Sequence, residues 1–210
     1  NNSMFANLRV KDGIIDRLRD IRGNRPSTGA ELKGAVIHLF WKNEDAEIFI
    51  DTTGDSLARH GYRKIPGLAP MLESLAAATI YATRWDRKSP FVNPMCGSGT
   101  VAIEAAMIAT NRRPGLFRTN YAFMHLQGYD ETIYLQEDAL LEEQIIDVPE
   151  LKIIATDYDN RAVENAKKNA IAAGVLNLID FAVCDFAKTE VPENVSGIFY
   201  VNPEYGERLG

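Results

Sequence analysis

The sequence predicts an α/β fold in which helices cover both faces of a mostly parallel sheet. Two observations lead to this prediction. Between residues 90 and 201, short apolar runs of strand length alternate with longer helical runs, in the order strand, helix, strand, helix, strand, strand. Glycine-rich or polar turns follow these strands, and ligands of open α/β sheets bind at the carboxyl ends of strands.

The first 64 residues predict a separate, small α+β module. Residues 11–22 have the spacing of an amphipathic helix, and residues 35–41 and 47–51 have the composition of two strands around a polar turn. The apolar stripe of the helix is predicted to consist of Ile14, Ile15, Leu18 and Ile21. We therefore expect one domain over residues 1–64 and a second over residues 65–210.

The second domain is predicted to contain three helices and four strands, each assigned from an apolar run of suitable length. The last helix is expected to end at a glycine, which suits the left-handed residue that commonly closes a helix. The predicted helices are 71–85, 101–108 and 160–174, and the predicted strands are 91–92, 151–156, 178–183 and 197–201. Residues 112–150 form a long insertion, with acidic residues expected on a solvated helix face.

Bulk composition narrows the class of protein. The chain has 210 residues, 46% of them apolar, and a net charge of −6. Residues 1–64 carry +2 and residues 65–210 carry −8, which argues against broad nonspecific affinity for nucleic acid without excluding a local basic path. No apolar run approaches the ~18 residues of a membrane helix. The two cysteines, Cys96 and Cys184, lie in unrelated contexts and favour a reducing cytoplasm.

A glycine-rich turn joins the strand at 91–92 to the following helix. Residues 93–100 read Asn-Pro-Met-Cys-Gly-Ser-Gly-Thr. Two glycines allow the backbone to approach a ligand closely, and the helix that begins near Thr100 presents free N–H groups to a carboxylate or phosphate. The turn lacks the lysine of a P-loop and the spacing of the dinucleotide fingerprint. Taken alone, it fits a ligand site and a plain strand-to-helix turn equally well.

Two acidic residues follow the next two strands. Asp157 comes after the strand at 151–156, where a carboxylate can accept both hydroxyls of a ribose. Asp185 comes after the strand at 178–183, where it can accept from an adenine amino group. Taken alone, an aspartate at either position is more often an ordinary loop residue than a ligand-binding one. A glycine turn and two carboxylates at three successive strand ends favour a nucleotide-like ligand.

The turn after the fourth strand carries a second set of polar groups. Asn202 has an amide oxygen that can accept from an exocyclic amine, and the Pro203 carbonyl can accept the other hydrogen. Tyr205 can stack on a planar ring. Such groups hold an amine with its lone pair directed at an electrophile, which is catalysis by orientation. The alternative is a simple β-turn with a satisfied Asn and a packed Tyr.

Together these stretches resemble the class I S-adenosylmethionine-dependent methyltransferases. Within that class the chain is most similar to bacterial THUMP-containing ribosomal RNA methyltransferases, which act on the N2 amine of guanine in large-subunit RNA. The resemblance extends over nearly the whole chain, and the combination of motifs makes it specific. The matching stretches are residues 11–18, 61–64, 69–70, 93–100, 103–106, 155–159 and 202–208.

The resemblance implies a Rossmann-like methyltransferase sheet over residues 65–210, preceded by the C-terminal part of a THUMP RNA-binding region. It implies S-adenosylmethionine as the cofactor, with its ribose held by Asp157 and its adenine by Asp185. It also implies a target base held by Asn202, Pro203 and Tyr205, a ribosomal RNA substrate and action in the cytoplasm. The methionine end of the cofactor would lie on Asn93, Pro94, Met95, Cys96, Gly97, Ser98 and Gly99.

Three departures from the family pattern matter. Asn93 stands where the family usually has Asp, so a charge that could pair with the cofactor's ammonium is missing. Glu204 replaces a proline that would stiffen the turn. The fold normally has three more strands after the fourth, so we expect the sheet to be incomplete and the chain to be a fragment of a longer protein, with an aggregation-prone edge at residues 197–201.

Two alternative functions remain open. The same turn serves adenine-N6 and protein glutamine methyltransferases, although the THUMP-like leader favours RNA. A degenerate domain that binds the cofactor or RNA without catalysis would also fit Asn93 and Glu204. His38, His60 and His125 are far apart in sequence and show no metal-binding spacing, so no metal is expected.

Overall fold

The predicted α/β fold is confirmed in a computed structural model that describes residues 3–29, 34–67 and 70–203. None of the helices in these ranges is long and apolar enough to cross a membrane. The helices are α1 (Ser3–Arg22), α2 (Glu73–Ala82), α3 (Thr100–Ala109), α4 (Glu131–Glu143) and α5 (Asn160–Ala172). The strands are β1 (Val36–Lys42), β2 (Asp45–Asp51), β3 (Phe91–Pro94), β4 (Ile153–Asp157), β5 (Ile179–Val183) and β6 (Ile198–Phe199). Short 3-10 helices cover Ala122–His125, Leu176–Leu178 and Phe186–Lys188.

The chain divides into two compact units. One comprises residues 1–56 with 120–131, and the other comprises residues 57–119 with 132–210. In the first unit β1 and β2 form an antiparallel hairpin. The segment at 120–131 joins that unit through backbone hydrogen bonds, in which Ala122 and Phe123 donate to the carbonyls of Thr53 and Thr52 at 3.2 and 3.0 Å.

Helix α1 begins eight residues before the predicted start and buries less of its stripe than predicted. Ile15 is buried, but Ile21 is 62% exposed. The earlier start fits the placement of Arg9 over the Phe5 ring, 5.2 Å from its centroid, because residues four apart lie on one face of a helix. Apolar spacing alone therefore missed the first two turns.

The second unit contains a four-stranded parallel sheet in the order β5-β4-β3-β6. Pro94 pairs with Thr156, and Asp157 pairs with Val183, so the carboxyl ends of the three neighbouring strands are in register. Strand β6 is shorter than the predicted run at 197–201, although the Tyr200 N–H still donates to the Val92 carbonyl at 2.8 Å. Within the described sheet, β6 is an edge strand.

Helix α3 is the centre of the core. All ten of its residues are buried, because α2, α5 and the sheet surround it. One of the ten, Glu104, is charged, and its Oε1 accepts from Tyr62 Oη and pairs with His60 Nδ1, each at 2.8 Å. Burial, reinforced by Glu104, raises the pKa of Tyr62 well above its usual value, so Tyr62 stays a hydrogen-bond donor.

Residues 60–67, here called the arm, attach to this core through buried Asn169 of α5. The Asn169 Oδ1 accepts from the backbone N–H groups of Lys64 and Ile65, both at 3.0 Å. Its Nδ2 donates to the carbonyls of Ile65 at 2.9 Å and Ser98 at 3.1 Å. One side chain therefore fastens the arm to the turn that follows β3.

We expect Asn169→Ala to lower the free energy of unfolding by about 2–4 kcal/mol, because it removes the partners of four backbone groups at once. Asn160→Ala is the matched control, since Asn160 is exposed on the same helix and its loss should change stability by no more than about 0.5 kcal/mol. Urea unfolding followed by circular dichroism measures both. Similar losses in the two variants would contradict the role given to Asn169.

Candidate functional site

The glycine turn between β3 and α3 needs its glycines for two different reasons. Gly97 and Gly99 both adopt the left-handed conformation, with φ of 54° and 82°. A Cβ on Gly97 would meet nothing within 4 Å, whereas one on Gly99 would lie 2.8 Å from the Cβ of Ala166. Glycine is thus required at position 97 only for its left-handed backbone conformation. At position 99 it is required for that conformation and also because α5 packs closely against the turn.

The turn delivers the N-terminus of α3 to the carboxyl edge of the sheet. The Cys96 N–H donates to the Thr156 carbonyl at 2.8 Å, which ties the turn to β4. Gly99 caps the helix without a side chain, and its carbonyl accepts the first intrahelical bond from the Ile103 N–H at 2.9 Å. Helix geometry leaves the N–H groups at 100–102 without intrahelical partners, which favours a negatively charged group in front of them.

Asp157 lies at the end of β4 and holds three segments together. Its Oδ2 accepts from the Gly97 N–H at 2.9 Å, and its Oδ1 accepts from the Asp159 N–H at 3.0 Å. Its carbonyl accepts from the Cys184 N–H at 3.0 Å. Each carboxylate oxygen can accept a second hydrogen bond, so the side chain keeps capacity for a pair of hydroxyls.

Asp185 lies two residues beyond the end of β5 rather than at the strand end itself. Its Oδ1 accepts from the Ala187 N–H at 2.9 Å and so caps the 3-10 helix at 186–188. The cap fixes the direction of the carboxylate. Its second oxygen is not needed for the cap and can accept from a ligand.

Asn93 is buried near the end of β3, and its side chain connects this strand to the chain that follows β6. Its Nδ2 donates to the Tyr200 carbonyl at 3.0 Å and, less closely, to the Pro94 carbonyl at 3.4 Å. An aspartate could not donate to either carbonyl. The asparagine therefore links β3 to the chain after β6, while its Oδ1 has no partner among the described residues.

Asn202 and Pro203 follow β6, and Tyr205 lies outside the described residues. Nearby is a cavity of about 480 Å³ with a nearly wholly apolar lining. The glycine turn, the 3-10 helix after Asp185 and the chain around β6 all contribute to it. Its lining is formed by Met95, Phe186, Ala187, Thr189, Val191, Phe199, Val201 and Pro203. A planar ring could occupy a cavity of this size and character.

Most of that lining was not predicted from the sequence. Met95 and Pro203 were, because they belong to recognisable turns. Phe186 and Val191 belong to a segment without regular periodicity, and only their position after Asp185 could have indicated them. Apolar residues directly after a strand-end carboxylate are the signal that was available.

Cys96 lies in the glycine turn but is not arranged as a nucleophile. It is 8% exposed. Burial, with a smaller effect of the nearby Asp157 charge, raises the pKa of its thiol to about 12. Within the described ranges, no group of three or more His, Cys, Asp or Glu residues is placed to bind a metal ion.

Comparison with known proteins gives a family match over residues 60–210, to the family described as RMKL-like, methyltransferase domain. Proteins called ribosomal RNA large subunit methyltransferase K/L, from two strains of Vibrio cholerae serotype O1, are each 40% identical over 213 residues. The alignments cover 100% of this chain and 30% of each relative. The chain thus spans less than a third of the length of these curated relatives.

Solved structures show the same fold. SMU.472, crystallised with SAH, superimposes with a TM-score of 0.81 at 34% identity. A protein from Listeria monocytogenes, described as a predicted N6-adenine-specific DNA methylase, gives 0.80 at 34% identity. Each match covers 95% of this chain and 52% of the other.

The contrast between the two glycines predicts different costs of substitution. Gly97→Ala should lower the free energy of unfolding by about 1–2 kcal/mol, the cost of placing an alanine in the left-handed region. Gly99→Ala should cost about 1–3 kcal/mol more, because its Cβ would also collide with Ala166. Denaturant unfolding of the two variants tests this, and equal losses would show that α5 moves to relieve the contact.

The raised pKa predicts that Cys96 resists alkylation. At pH 8 a thiol with a pKa of about 12 is ionised to roughly one part in ten thousand, so iodoacetamide should modify folded Cys184→Ser protein at least about a hundredfold more slowly than unfolded protein. The rate should rise with pH toward 12, as the thiolate forms. Mass spectrometry measures the modification, and a rate that is unchanged by unfolding would contradict the prediction.

Proposed function

The chain belongs to the family of RMKL-like methyltransferase domains, and we propose that it transfers a methyl group from S-adenosylmethionine to the N2 amine of a guanine in large-subunit ribosomal RNA. The observation that carries the proposal is the meeting of four segments at one edge of the sheet. The glycine turn, Asp157, Asp185 and the Asn202-Pro203 turn follow β3, β4, β5 and β6. A nucleoside-type cofactor and a target base need adjacent sites of this kind.

The residues at this edge suit S-adenosylmethionine. SAH, the demethylated form of that cofactor, is present in the crystals of SMU.472. The N-terminus of α3 favours the carboxylate of the methionine end, and Asp157 has unused acceptor capacity for the ribose hydroxyls. Asp185 lies beside the apolar cavity, where its free oxygen would accept from the adenine amino group. When bound, the cofactor supplies an electrophilic methyl carbon.

The chain's own contribution to chemistry is to orient the amine. The amide oxygen of Asn202, which follows β6, accepts one amine hydrogen. The Pro203 carbonyl accepts the other, and the nitrogen lone pair then points away from both. Tyr205 completes the site by stacking on the base, worth about 1–3 kcal/mol for a base on an aromatic ring. A paired base is out of reach, so the target must be unpaired or flipped.

The residues before the arm form the end of a THUMP region in this proposal, and their role is to bind RNA. The support is the resemblance of the leader, together with the ribosomal RNA activity named for the Vibrio cholerae relatives. Because ribosomal RNA is the substrate, the cytoplasm is the place of action. The acidic second domain fits a division of labour in which the leader contributes the affinity for RNA.

Adenine-N6 methylation is a second candidate, because the Listeria monocytogenes structure carries that description. One experiment separates the candidates. Calorimetry with SAH tests the cofactor site, and incubation with radiolabelled cofactor and unmodified ribosomal RNA, followed by nucleoside analysis, identifies the methylated base. N2-methylguanine supports the proposal, and N6-methyladenine supports the alternative. Binding of SAH without transfer would favour a non-catalytic domain.

We expect Asn202→Ala to reduce the rate of methyl transfer by about a hundredfold or more while changing RNA affinity by less than about threefold, because Asn202 orients the amine rather than anchoring the RNA. Asn177→Ala is the matched control, since Asn177 is exposed at the opposite edge of the sheet. Single-turnover rates and filter binding measure the two quantities. Equal rates for Asn202→Ala and the parent would remove Asn202 from the mechanism.

A further inference from the structure

Two buried, oppositely charged side chains next to the glycine turn have no role in the function proposed so far. Arg63 lies in the arm and Glu73 begins α2, and their side chains are 11% and 4% exposed. The Arg63 Nη2 is 3.6 Å from the Glu73 Oε2, an ion pair but too long for a hydrogen bond. Within the described residues, the Arg63 Nε and the Glu73 Oε2 have no hydrogen-bond partner.

Such a pair is incomplete. A buried ion pair offsets the loss of hydration only when hydrogen bonds satisfy the remaining donor and acceptor atoms. Here one donor of the guanidinium and one oxygen of the carboxylate are left over, and buried unsatisfied groups in native proteins call for a reason. A ligand that carries an anion and a cation together would supply both missing partners.

The pair lies next to the start of α3. The Arg63 Nη2 donates to the Met71 carbonyl and, at 3.0 Å, to the Thr100 Oγ1, and Thr100 is the first residue of that helix. The same arm runs along the glycine turn, since Gly67 is so close that a Cβ on it would lie 3.8 Å from the Ser98 Cβ. Asn169 bonds to both Ile65 and Ser98. Arg63 and Glu73 therefore flank the place where the proposed function puts the methionine end of the cofactor.

We propose that Arg63 and Glu73 bind the zwitterionic amino-acid end of S-adenosylmethionine, an inference that rests on the proposed function. The guanidinium takes the carboxylate through its unpartnered Nε, since Nη2 already donates to Met71 and Thr100, and the N-terminus of α3 adds to the attraction. The Glu73 carboxylate takes the ammonium. Asn93 carries no charge and donates its amide hydrogens to the carbonyls of Tyr200 and Pro94, so Glu73 supplies the negative charge that the turn lacks.

Three probes of increasing simplicity test the assignment in calorimetry with the 210-residue chain. SAH carries both charges, decarboxylated SAH lacks the carboxylate, and 5′-methylthioadenosine lacks both. Arg63→Gln should weaken SAH about ten- to a hundredfold, the size of one lost charge-assisted hydrogen bond, and leave the other two probes within about twofold. Glu73→Gln should weaken SAH and decarboxylated SAH but not 5′-methylthioadenosine.

Arg113 and Asp138 provide the matched control. They form a second partly buried ion pair, in the segment after α3 and in α4, and the Arg113 Nε likewise has no partner among the described residues. Arg113→Gln and Asp138→Asn should leave all three affinities unchanged. Thermal unfolding of every variant verifies the fold. If Arg63→Gln does not fold, Arg63→Lys serves instead, because lysine keeps the charge but lacks the paired donors, and the ratio of SAH to 5′-methylthioadenosine affinity should still fall.

The outcomes separate this inference from the proposed function. Equal losses for SAH and 5′-methylthioadenosine in the Arg63 and Glu73 variants would mean that the pair only shapes the site, which overturns the inference. No loss for SAH would overturn it as well. A parent protein that binds SAH no more tightly than 5′-methylthioadenosine refutes the zwitterion site alone. A parent that binds neither refutes the cofactor proposal itself.

Discussion

The carboxylate of Asp157 sets the geometry of the candidate site. It accepts from the backbone of Gly97 in the glycine turn and of Asp159 before α5, and its own carbonyl accepts from Cys184 beyond β5. Hydrogen bonds to an ionised acceptor are shorter and stronger than those between neutral groups. One charged side chain at the end of β4 therefore fixes the relative positions of three loops, and a ligand that uses its remaining lone pairs meets a site already assembled.

That arrangement rests on a helix that is buried on every side. An entirely buried α3 gives a rigid base for the turn, but the single charge within it, Glu104, needs polar partners in the core. The arm supplies them through Tyr62 and His60, and Asn169 supplies a second attachment. The arm thus places Tyr62 in the core and also supplies the hydrogen-bond partners of Glu104. The position of the glycine turn therefore depends on residues that precede the sheet in sequence.

The order of strands and helices could be predicted because it depends on local apolar runs, and Asp157 could be singled out because it directly follows such a run. Asn169 could not, since its partners lie 71 to 105 residues away. The burial of Arg63 could not be predicted either, since Thr100, which accepts from its guanidinium, lies 37 residues away. Glu104 offered a usable signal, because a charged residue in an otherwise apolar helix must find partners. The start of α1 was missed because its first turns are stabilised by a pair four residues apart rather than by an apolar stripe.

The attachment of the arm restricts how this sheet can be recombined with other leaders. A chimaera joined after residue 67 would carry α3 and α5 without Tyr62, His60 and the backbone of Lys64 and Ile65. Glu104 and Asn169 would then be buried polar groups that lack these hydrogen-bond partners. A junction before His60 keeps every one of these bonds within the transplanted piece. The match to the methyltransferase family also begins at residue 60, so the transferable module starts with the arm rather than with the first strand of the sheet.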